Sequence, residues 1–374
     1  MSPIRIRGRA FIGDAFVDDV SIEFDQHILA LGRGMEGERV DGVILPGFID
    51  LHVHGGAGSD FMDGTVEAAE TVARAHAKTG TTSLAATTLS GSREAIRSAA
   101  TAASRLARHR HAGCAEIIAI HFEGPYISAK RAGAQDPRSI RAADIQEVEE
   151  LLGAAHGLPA IITLAPEIEG AHQLIEKFRD SVVISIGHTD ASFGDAIDAI
   201  ARGARHIAHL FNAMRPLHHR EPGVVGAALL SEEVSAELIA DGVHVHPAIL
   251  RHFARALSGR VCLVTDAMRA CGMPPGTYRL YEHDVTVDDG AARLADGTLA
   301  GSVLTMIKAV QNMVELAGLP LEMVVPMATS IPARIAGASR KGRIDIGYES
   351  DLIVVSERFE LKRAFVRGRE IDLA

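Results

Sequence analysis

The sequence predicts an α/β protein in which a (β/α)8 TIM barrel carries a small β-sandwich built from both ends of the chain. From about residue 47, short apolar runs alternate with alanine-rich helical segments, and eight such units in a row are typical of a TIM barrel. Residues 3–45 and 343–374 instead contain short alternating bursts broken by glycine and aspartate, which are typical of antiparallel strands. We therefore expect domain boundaries at 1–46, 47–338 and 339–374. A doubly wound open sheet is the alternative fold.

The predicted elements follow one another in a regular order. Barrel strands are predicted at residues 48–53, 83–87, 117–122, 160–164, 182–186, 207–210, 235–239 and 261–264. Helices are predicted between them, for example at 66–79, 93–110, 142–156 and 246–257, and again at 302–318 and 320–336. Residues 277–302 contain DDG and DG turn sequences, which predict an inserted hairpin.

Composition excludes several classes of partner. Only 4% of the 374 residues are aromatic and tryptophan is absent, so stacking on nucleic acid bases is not expected. The formal net charge is −10, and no long Lys/Arg cluster offers a footprint for nucleic acid or an anionic membrane. Three cysteines without disulfide or zinc-finger spacing, and an N-terminus without a signal-peptide core, predict a cytoplasmic protein. No apolar stretch approaches membrane-spanning length.

The stretch GVILPGFIDLHVHGGAG, residues 42–58, predicts a buried strand that ends in a site. Alternate side chains of a strand share a face, so His52 and His54 project the same way and can bind one metal ion. The glycines that follow let the backbone turn closely around a bound group. An isolated His-x-His also occurs as two packed histidines at a strand end, so the other strand ends decide between these interpretations.

Imidazoles and carboxylates lie at the ends of six predicted strands, where a TIM barrel carries its active site. Taken singly, each has a structural interpretation, such as a core histidine or a loop carboxylate. Together they predict a divalent-metal site, because imidazole and carboxylate are ligands of Zn, Fe, Co and Mn. Besides His52 and His54 they are Glu123, His188, His209, Asp241, His244 and Asp266. The other histidines considered are predicted to be solvated or packed: His206, His218, His219, His246 and His252.

Eight short runs occur in a fixed order over nearly the whole chain: PGFIDLHVHG, HFEGPYIS, GHTDAS, HLFNAM, REPG, ADGVHV, LVTDAM and LAGS. With these runs the chain resembles the amidohydrolase superfamily and, within it, the family of N-acetylglucosamine-6-phosphate deacetylases. The combination of HLFNAM with REPG is more specific than the His-x-His. The resemblance implies that Glu123, His188 and His209 bind metal and that Asp266 is the catalytic acid/base. It also implies substrate contacts at Ala134, Gln135, Asn212, Ala213, Arg220, His244, Leu299, Ala300 and Gly301.

Two features depart from the best-known members of that family. Some deacetylases have lost the His-x-His and use one metal, whereas His52 and His54 are present here, so we expect one or two divalent ions per chain. Gln135 stands where we expect a histidine, which leaves the preference among N-acetylhexosamines open.

The expected reaction is hydrolysis of N-acetylglucosamine 6-phosphate to glucosamine 6-phosphate and acetate, in amino-sugar catabolism or recycling. Asp266 would take a proton from water whose pKa the metal lowers, and would return it to the departing amine. Arg220 and His244 suit the phosphate, and the resemblance implies that Arg220 reaches it across the interface of a homodimer.

Three alternatives stay open. The first is a deacetylase of another N-acetylhexosamine or its phosphate. The second is a cyclic-amide hydrolase on the same fold, but those sites bridge two metals with a carboxylated lysine at a strand end. The lysines considered fall in predicted helices, loops or the tail: Lys78, Lys130, Lys177, Lys308, Lys341 and Lys362. The third is a non-catalytic barrel, which would have no reason to keep Asp266 beside a complete ligand set.

Overall fold

The computed structural model describes residues 3–34, 36–109 and 111–374. The predicted N-terminal unit and the predicted helix at 93–110 include residues 1, 2, 35 and 110, which lie outside the described residues. The first four strands are β1 (Ile4–Ile12), β2 (Ala15–Phe24), β3 (Ile28–Arg33) and β4 (Glu38–Pro46). Strand β1 pairs antiparallel with β2 and parallel with β4. Gly13 and Asp14 both have positive φ, 57° and 68°, which is the backbone that a two-residue hairpin turn requires.

Eight parallel strands form the barrel: β5 (Phe48–Val53), β8 (Thr81–Thr88), β9 (Glu116–Glu123), β10 (Ala160–Leu164), β11 (Val183–Ile186), β12 (His206–Ile207), β13 (Ser235–Ile239) and β14 (Val261–Val264). Between β5 and β8 lies a short hairpin of β6 (Gly55–Gly56) and β7 (Ser59–Asp60). Each barrel strand pairs with the next, and the barrel closes where Val53 bridges Ala267 and where the Asp266 amide donates to the His52 carbonyl at 2.9 Å. The predicted TIM barrel is confirmed.

The predicted sixth strand, 207–210, is longer than the observed one, which ends at Ile207. His209 has a φ of 25° and Phe211 a φ of 83°. These values lie outside the extended region that a strand needs, so the regular strand ends before His209, while the Leu210 amide still donates to the Glu237 carbonyl of β13 at 2.9 Å. The His209 side chain therefore lies at the mouth of the barrel, where it lines the cavity.

The helices are α1 (Val66–Ala77), α2 (Arg93–His109), α3 (Ile145–Ala154), α4 (Ala171–Phe178), α5 (Phe193–Arg202), α6 (Gly223–Leu230), α7 (Pro247–Ala256), α8 (Met306–Glu315), α9 (Leu321–Val324) and α10 (Ser330–Ile335). Helix α2 shows how they pack, because its buried face is mostly alanine and lets the helix approach the strands closely. Helix α3 begins later than predicted because Asp144 is its N-cap, accepting from the amides of Gln146 and Glu147. None of the helices in the described part of the chain combines the length and apolarity needed to cross a membrane.

The predicted insertion is a four-stranded antiparallel sheet made of β15 (Gly276–Leu280), β16 (His283–Asp288), β17 (Ala291–Arg293) and β18 (Leu299–Ser302). Strand β18 is joined to the segment after β14, because the Ser302 amide donates to the Asp266 carbonyl at 2.7 Å. The insertion therefore brings Leu299 and Gly301 to the rim of the barrel.

The last strands, β19 (Leu352–Val355), β20 (Leu361–Val366) and β21 (Arg369–Glu370), join β1–β4 in one seven-stranded sheet of order β21-β20-β19-β4-β1-β2-β3. Strands from both ends of the chain thus pair as predicted, through β19 antiparallel to β4. Only Gly47 separates β4 from β5, and a Cβ there would lie 2.2 Å from Thr82 Oγ1. Glycine is therefore required at the junction of sheet and barrel.

A buried lysine fastens the sheet to the barrel. Lys341 Nζ lies 2.8 Å from a carboxylate oxygen of Glu116 in β9, 2.7 Å from Glu349 and 2.6 Å from Asp351. Burial alone would lower the pKa of the Lys341 ammonium. The three carboxylates raise it by more than burial lowers it, so the pKa lies above its usual value. The cluster is a charged joint between the two parts of the fold.

Candidate metal centre and active site

One carboxylate stands at the centre of the barrel mouth, surrounded by imidazoles. Glu123, the last residue of β9, has Oε1 at 3.2 Å from His52 Nε2, 3.1 Å from His188 Nε2 and 2.9 Å from His209 Nε2. Its Oε2 lies 3.4 Å from His54 Nε2. All five side chains are buried. The structure therefore brings together the five residues predicted to bind metal.

Asp266 lies on the other side of the same imidazoles, after β14. Its Oδ1 is 3.1 Å from His54 Nε2 and 3.7 Å from His52 Nε2. The residue has a φ of 50°, in the left-handed region that aspartate and asparagine tolerate better than most residues. The Asp266 carboxylate thus contacts two of the predicted metal ligands, His52 and His54.

The cluster fits a divalent metal. The potential ligand atoms of His52, Glu123 and His209 lie within 4.8 Å of one another, and so do those of His52, His54 and Asp266. His52 Nε2 is buried and has no hydrogen-bond partner among the described residues, although it faces both carboxylates. A buried nitrogen of this kind costs free energy unless something binds it. Imidazole and carboxylate together suit Zn, Fe, Co or Mn.

Charge interactions within the cluster shift the pKa values of its imidazoles and carboxylates. Burial lowers the pKa of His54, but hydrogen bonds to Asp266 and Glu123 raise it to about 9. Burial raises the pKa of the Glu123 carboxyl, but the charges of His52 and His188 bring it well below its usual range. The pKa of Asp266 is lowered as well, because the bond to His54 and the charge of His52 outweigh its burial. A metal that binds here must therefore displace protons from imidazoles beside charged carboxylates.

A cavity of about 460 Å³ opens above the cluster. Glu123, His54, His188, His209 and Asp266 line its floor. Its walls contain most of the predicted substrate contacts, namely Ala134, Gln135, Asn212, Ala213, His244, Leu299 and Gly301. The cavity has room for a small polar molecule that touches floor and wall at once.

Comparison with known proteins agrees with this geometry. Residues 43–371 match the model of the amidohydrolase family. The chain belongs to that family. It is 40% identical over 334 residues to an N-acetylglucosamine-6-phosphate deacetylase of Bacillus subtilis, covering 88% of this chain and 84% of that protein. It is also 35% identical to an N-acetylgalactosamine-6-phosphate deacetylase of Escherichia coli O157:H7, over 89% of this chain and 88% of the other.

A solved structure is similar over the whole length of this amidohydrolase. It is a variant of N-acetyl-D-glucosamine-6-phosphate deacetylase from Mycobacterium smegmatis in complex with N-acetyl-D-glucosamine-6-phosphate. The TM-score is 0.94 at 33% identity, and the match covers 100% of both chains. The likeness thus includes the barrel and the sheet of the chain ends.

Two predicted substrate contacts do not line the cavity of a single chain of this amidohydrolase. Arg220 is exposed in the loop after β12, where its guanidinium lies 2.7 Å from His219 Nε2. Ala300 is fully buried within β18, between Leu299 and Gly301. Two cations that were not predicted, Lys130 and Arg131, do line the cavity. The Lys130 side chain is 78% exposed and faces Asp190, so it does not occupy the position of a bridging carboxylated lysine.

Gln135 does not project freely into the cavity. Its Oε1 accepts from the Ser90 amide at 2.6 Å, and its side-chain NH₂ donates to Glu123 Oε2. The acceptor end thus faces a donor and the donor end faces a carboxylate, which fixes the orientation of the amide. In this amidohydrolase Gln135, which stands where a histidine is expected, thus forms a hydrogen bond to the predicted metal ligand Glu123.

Asp241 orients His244. Its Oδ2 lies 2.6 Å from His244 Nδ1, and its Oδ1 accepts from the backbone amides of Val243 and His244 at 2.8 Å each. Burial raises the pKa of Asp241, but the bond to His244 lowers it, and the net pKa is lowered. Asp241, predicted as a strand-end ligand candidate, therefore holds the His244 ring against the cavity wall.

A layer of buried polar residues beneath the cluster was missed by sequence reasoning. Glu237 and His121 lie fully buried inside barrel strands, and Asp50 accepts from the Thr265 hydroxyl at 2.6 Å. The signal for Glu237 was a charged residue in the middle of the apolar strand SAELI, since such a residue is stable only with partners. His206, predicted to be solvated or packed, is packed in this layer, whereas His218, His219, His246 and His252 are exposed.

Proposed function

We propose that this protein is a metal-dependent deacetylase that hydrolyses N-acetylglucosamine 6-phosphate to glucosamine 6-phosphate and acetate. One observation carries the proposal: Asp266, Glu123 and three imidazoles line the floor of one cavity, a fourth imidazole, that of His52, contacts Glu123 from beneath, and the cavity walls hold the predicted sugar contacts. Relatives that carry this name, at up to 40% identity over 88% of the chain, support the substrate.

In the proposed site, Glu123, His188 and His209 would hold one divalent ion, and His52 and His54 would provide ligands for a second. When bound, a divalent metal supplies Lewis acidity, which makes water nucleophilic near neutral pH and polarises a carbonyl. The Nδ1 atoms of His188 and His209 lie 2.9 Å and 3.2 Å from the backbone carbonyls of Arg131 and Asn212. If each Nδ1 donates its proton there, both Nε2 lone pairs face Glu123.

Asp266 is the proposed general base and acid. Its lowered pKa keeps the carboxylate charged at neutral pH, so that it can accept a proton from the attacking water. The same group then protonates the amine, which leaves poorly as an anion. Its backbone is fixed by bonds from Asp266 N to the His52 carbonyl and from Ser302 N to the Asp266 carbonyl, which hold the carboxylate at the cluster.

The phosphate is proposed to bind at the rim, where His244 contributes one donor and Arg220 of a second copy contributes another. Arg220 is exposed and does not line the cavity of its own chain, which supports its proposed role at the site of a second copy. A planar guanidinium can bind phosphate oxygens in pairs, which suits Arg220 to the task.

The alternative substrate is an epimer of the proposed sugar, namely N-acetylgalactosamine 6-phosphate. A relative named N-acetylgalactosamine-6-phosphate deacetylase is 35% identical, and Gln135 departs from the residue expected of the glucosamine enzymes. The proposed activity is therefore tested against both epimers.

The test is acetate release from N-acetylglucosamine and N-acetylgalactosamine, each with and without the 6-phosphate, alongside metal analysis of the purified protein. We expect the fastest turnover with N-acetylglucosamine 6-phosphate. Glu123→Ala should lose metal because a central ligand is gone, whereas Glu149→Ala, an exposed carboxylate on α3, should keep it. Fully metallated wild-type protein that releases no acetate from any of the four sugars would refute the proposal.

A further inference from the structure

Glu237 is a fully buried carboxylate that accepts hydrogen bonds from three histidine residues. Its Oε2 lies 2.9 Å from His52 Nδ1 and 2.9 Å from the backbone amide of His209, and its Oε1 lies 3.0 Å from His206 Nε2. It stands in the middle of β13, one layer below the cavity, and does not line it. A buried carboxylate needs such donors, because an unpaired charge there would be very costly.

The contact with His52 decides which of its nitrogens faces the cluster. The His209 backbone amide can only donate, and it donates to the same Oε2 that faces His52 Nδ1, while Oε1 faces His206 Nε2, so the Glu237 carboxylate acts as an acceptor at both oxygens. His52 Nδ1 must therefore carry the proton of that bond. Its Nε2, which has no hydrogen-bond partner in the described part of the chain, is then the nitrogen that faces Glu123 and Asp266.

The same oxygen of Glu237 also holds His209. Strand β12 ends at Ile207, and the φ of 25° at His209 turns its backbone out of the ladder. The His209 amide donates to the Glu237 side chain, at Oε2, instead of to a backbone carbonyl of the neighbouring strand β13. One atom thus fixes the side chain of His52 on the first barrel strand and the backbone of His209 after the sixth.

The residues around Glu237 support this arrangement. His121 packs edge-on against His52 with ring centroids 4.5 Å apart. Its Nδ1 lies 2.9 Å from the Leu51 carbonyl and its Nε2 lies 2.7 Å from Thr163 Oγ1. Potential ligand atoms of His52, His121 and Glu237 lie within 4.8 Å of one another, but both nitrogens of His121 already face partners among the described residues.

We propose that Glu237 is a positioning residue that fixes His52 for ligation through Nε2 and links it to His209, so that both proposed metal positions depend on one carboxylate outside the cavity. The inference rests on the proposed function only in taking His52 and His209 as metal ligands. Outer partners of metal-binding histidines typically contribute about 10- to 100-fold in metal affinity. His52 differs from His188 and His209 here, because its Nδ1 faces a carboxylate and not a backbone carbonyl.

The test measures metal binding directly. Zn²⁺ affinity is determined by competition with a chelator for the wild type, Glu237→Gln and Glu237→Leu. We expect the Gln variant, which keeps the shape but loses the charge, to bind Zn²⁺ about 10- to 100-fold more weakly. The Leu variant, which removes both acceptor oxygens and with them all three hydrogen bonds, should bind still more weakly. In the Zn²⁺-loaded, ¹⁵N-histidine-labelled wild type, the His52 Nδ1 proton should give a downfield resonance that moves upfield in Glu237→Gln.

Glu147→Gln is the matched control, since Glu147 is also a fully buried carboxylate but pairs with Arg141 at 3.0 Å and touches none of the proposed ligands. It should lose thermal stability and keep wild-type Zn²⁺ affinity. A Zn²⁺ affinity of Glu237→Gln within about twofold of the wild type, or an unmoved His52 resonance, overturns the proposal even if Glu237→Leu fails to fold. Neither readout involves a sugar, so a failure of the deacetylase assignment would be seen separately.

Discussion

The side-chain amide of Gln135 donates a 2.6 Å hydrogen bond to Oε2 of Glu123. Its NH₂ is thereby directed at a predicted metal ligand. A histidine at this position would be expected to stabilise the charge that develops on the acetyl oxygen, and one such donor typically contributes about 10²-fold in kcat. Because the Gln135 NH₂ is engaged with Glu123, we infer that another group stabilises the negative charge on the acetyl oxygen. The proposed second metal, held by His52 and His54, could stabilise that charge as a Lewis acid.

We therefore expect Gln135→Ala to lower kcat by less than about tenfold at saturating metal, and the His52→Ala/His54→Ala variant to lower it by about 10²-fold or more. Gln135→Ala should also weaken metal binding, because a hydrogen bond to a charged group contributes about 1.5–3 kcal/mol. Steady-state kinetics and metal titration check both. A severe Gln135→Ala beside a nearly active histidine variant would contradict the idea, as would full activity with one ion per chain.

Asp266→Asn should abolish turnover and leave metal content and fold unchanged. The amide keeps the shape of the carboxylate but cannot accept the proton, and general base catalysis contributes about 10²–10⁴-fold. Asparagine also tolerates the φ of 50° at this position, so no backbone strain is added. Measured kcat, metal per chain and melting temperature check this prediction. Retention of most of the wild-type kcat would remove Asp266 from the mechanism.

Arg220→Ala should lower kcat/KM strongly for the phosphorylated sugar and little for the unphosphorylated one. Loss of a charged partner of phosphate costs about 2–5 kcal/mol when the phosphate is left unpaired. Arg179→Ala, which removes another half-exposed guanidinium from the end of α4, serves as the control. Equal losses on both sugars would point to a structural role.

Mixed dimers decide whether Arg220 acts across the proposed interface between two copies of the chain. A dimer of one Arg220→Ala chain and one Asp266→Asn chain keeps one complete site only if Arg220 is supplied by the other chain. We expect such dimers to recover activity on the phosphorylated sugar up to about half of the wild type. Recovery no greater than that of the separate variants would place Arg220 in its own chain's site.

Metal affinity should rise with pH up to about pH 9. The pKa of His54 is raised to about 9 by its bonds to Asp266 and Glu123, so below that pH a proton occupies the nitrogen that the metal needs. As pH rises through this pKa, the proton no longer competes. Zn²⁺ titrations between pH 6 and pH 9 should show increasing affinity, with protons released on binding. A pH-independent affinity would show that these imidazoles are not ligands.

Lys341→Met should destabilise the fold by about 3–5 kcal/mol, because it removes the ammonium that pairs with the buried Asp351 and the partly buried Glu116 and Glu349. In the wild type the raised pKa of Lys341 means that its contribution is complete below about pH 10.5 and is lost only as pH rises further. In the variant the carboxylates repel one another and take up protons more easily. Urea unfolding should therefore show a smaller deficit at pH 5.5 than at pH 8, and an equal deficit would contradict this account.

The sequence predicted the barrel well because each strand is a compact apolar run between alanine-rich helices. It placed Glu123, His188 and Asp266 correctly since each follows directly from the end of such a run. The predicted end of the sixth strand was wrong, and the contact made there is not local: the His209 amide donates to the side chain of Glu237 on the next strand, which an apolar run does not reveal. The position of Arg220 outside the cavity could not be read from its motif, since a motif does not say which chain completes a site. The domain boundaries at 46 and 338 are still predictions.

The seven-stranded sheet also constrains how the chain is made. Strand β4 is completed at Pro46, but its partner β19 begins at Leu352, about 300 residues later. At about 5–20 residues per second, a ribosome needs roughly 15–60 s to reach it. During that interval the free edge of β4 is open to wrong partners, and unpaired edges are where aggregation begins. Slow synthesis or a truncated message would thus leave β1–β4 with an unpaired, aggregation-prone edge at β4. We expect chaperones to be needed at this edge.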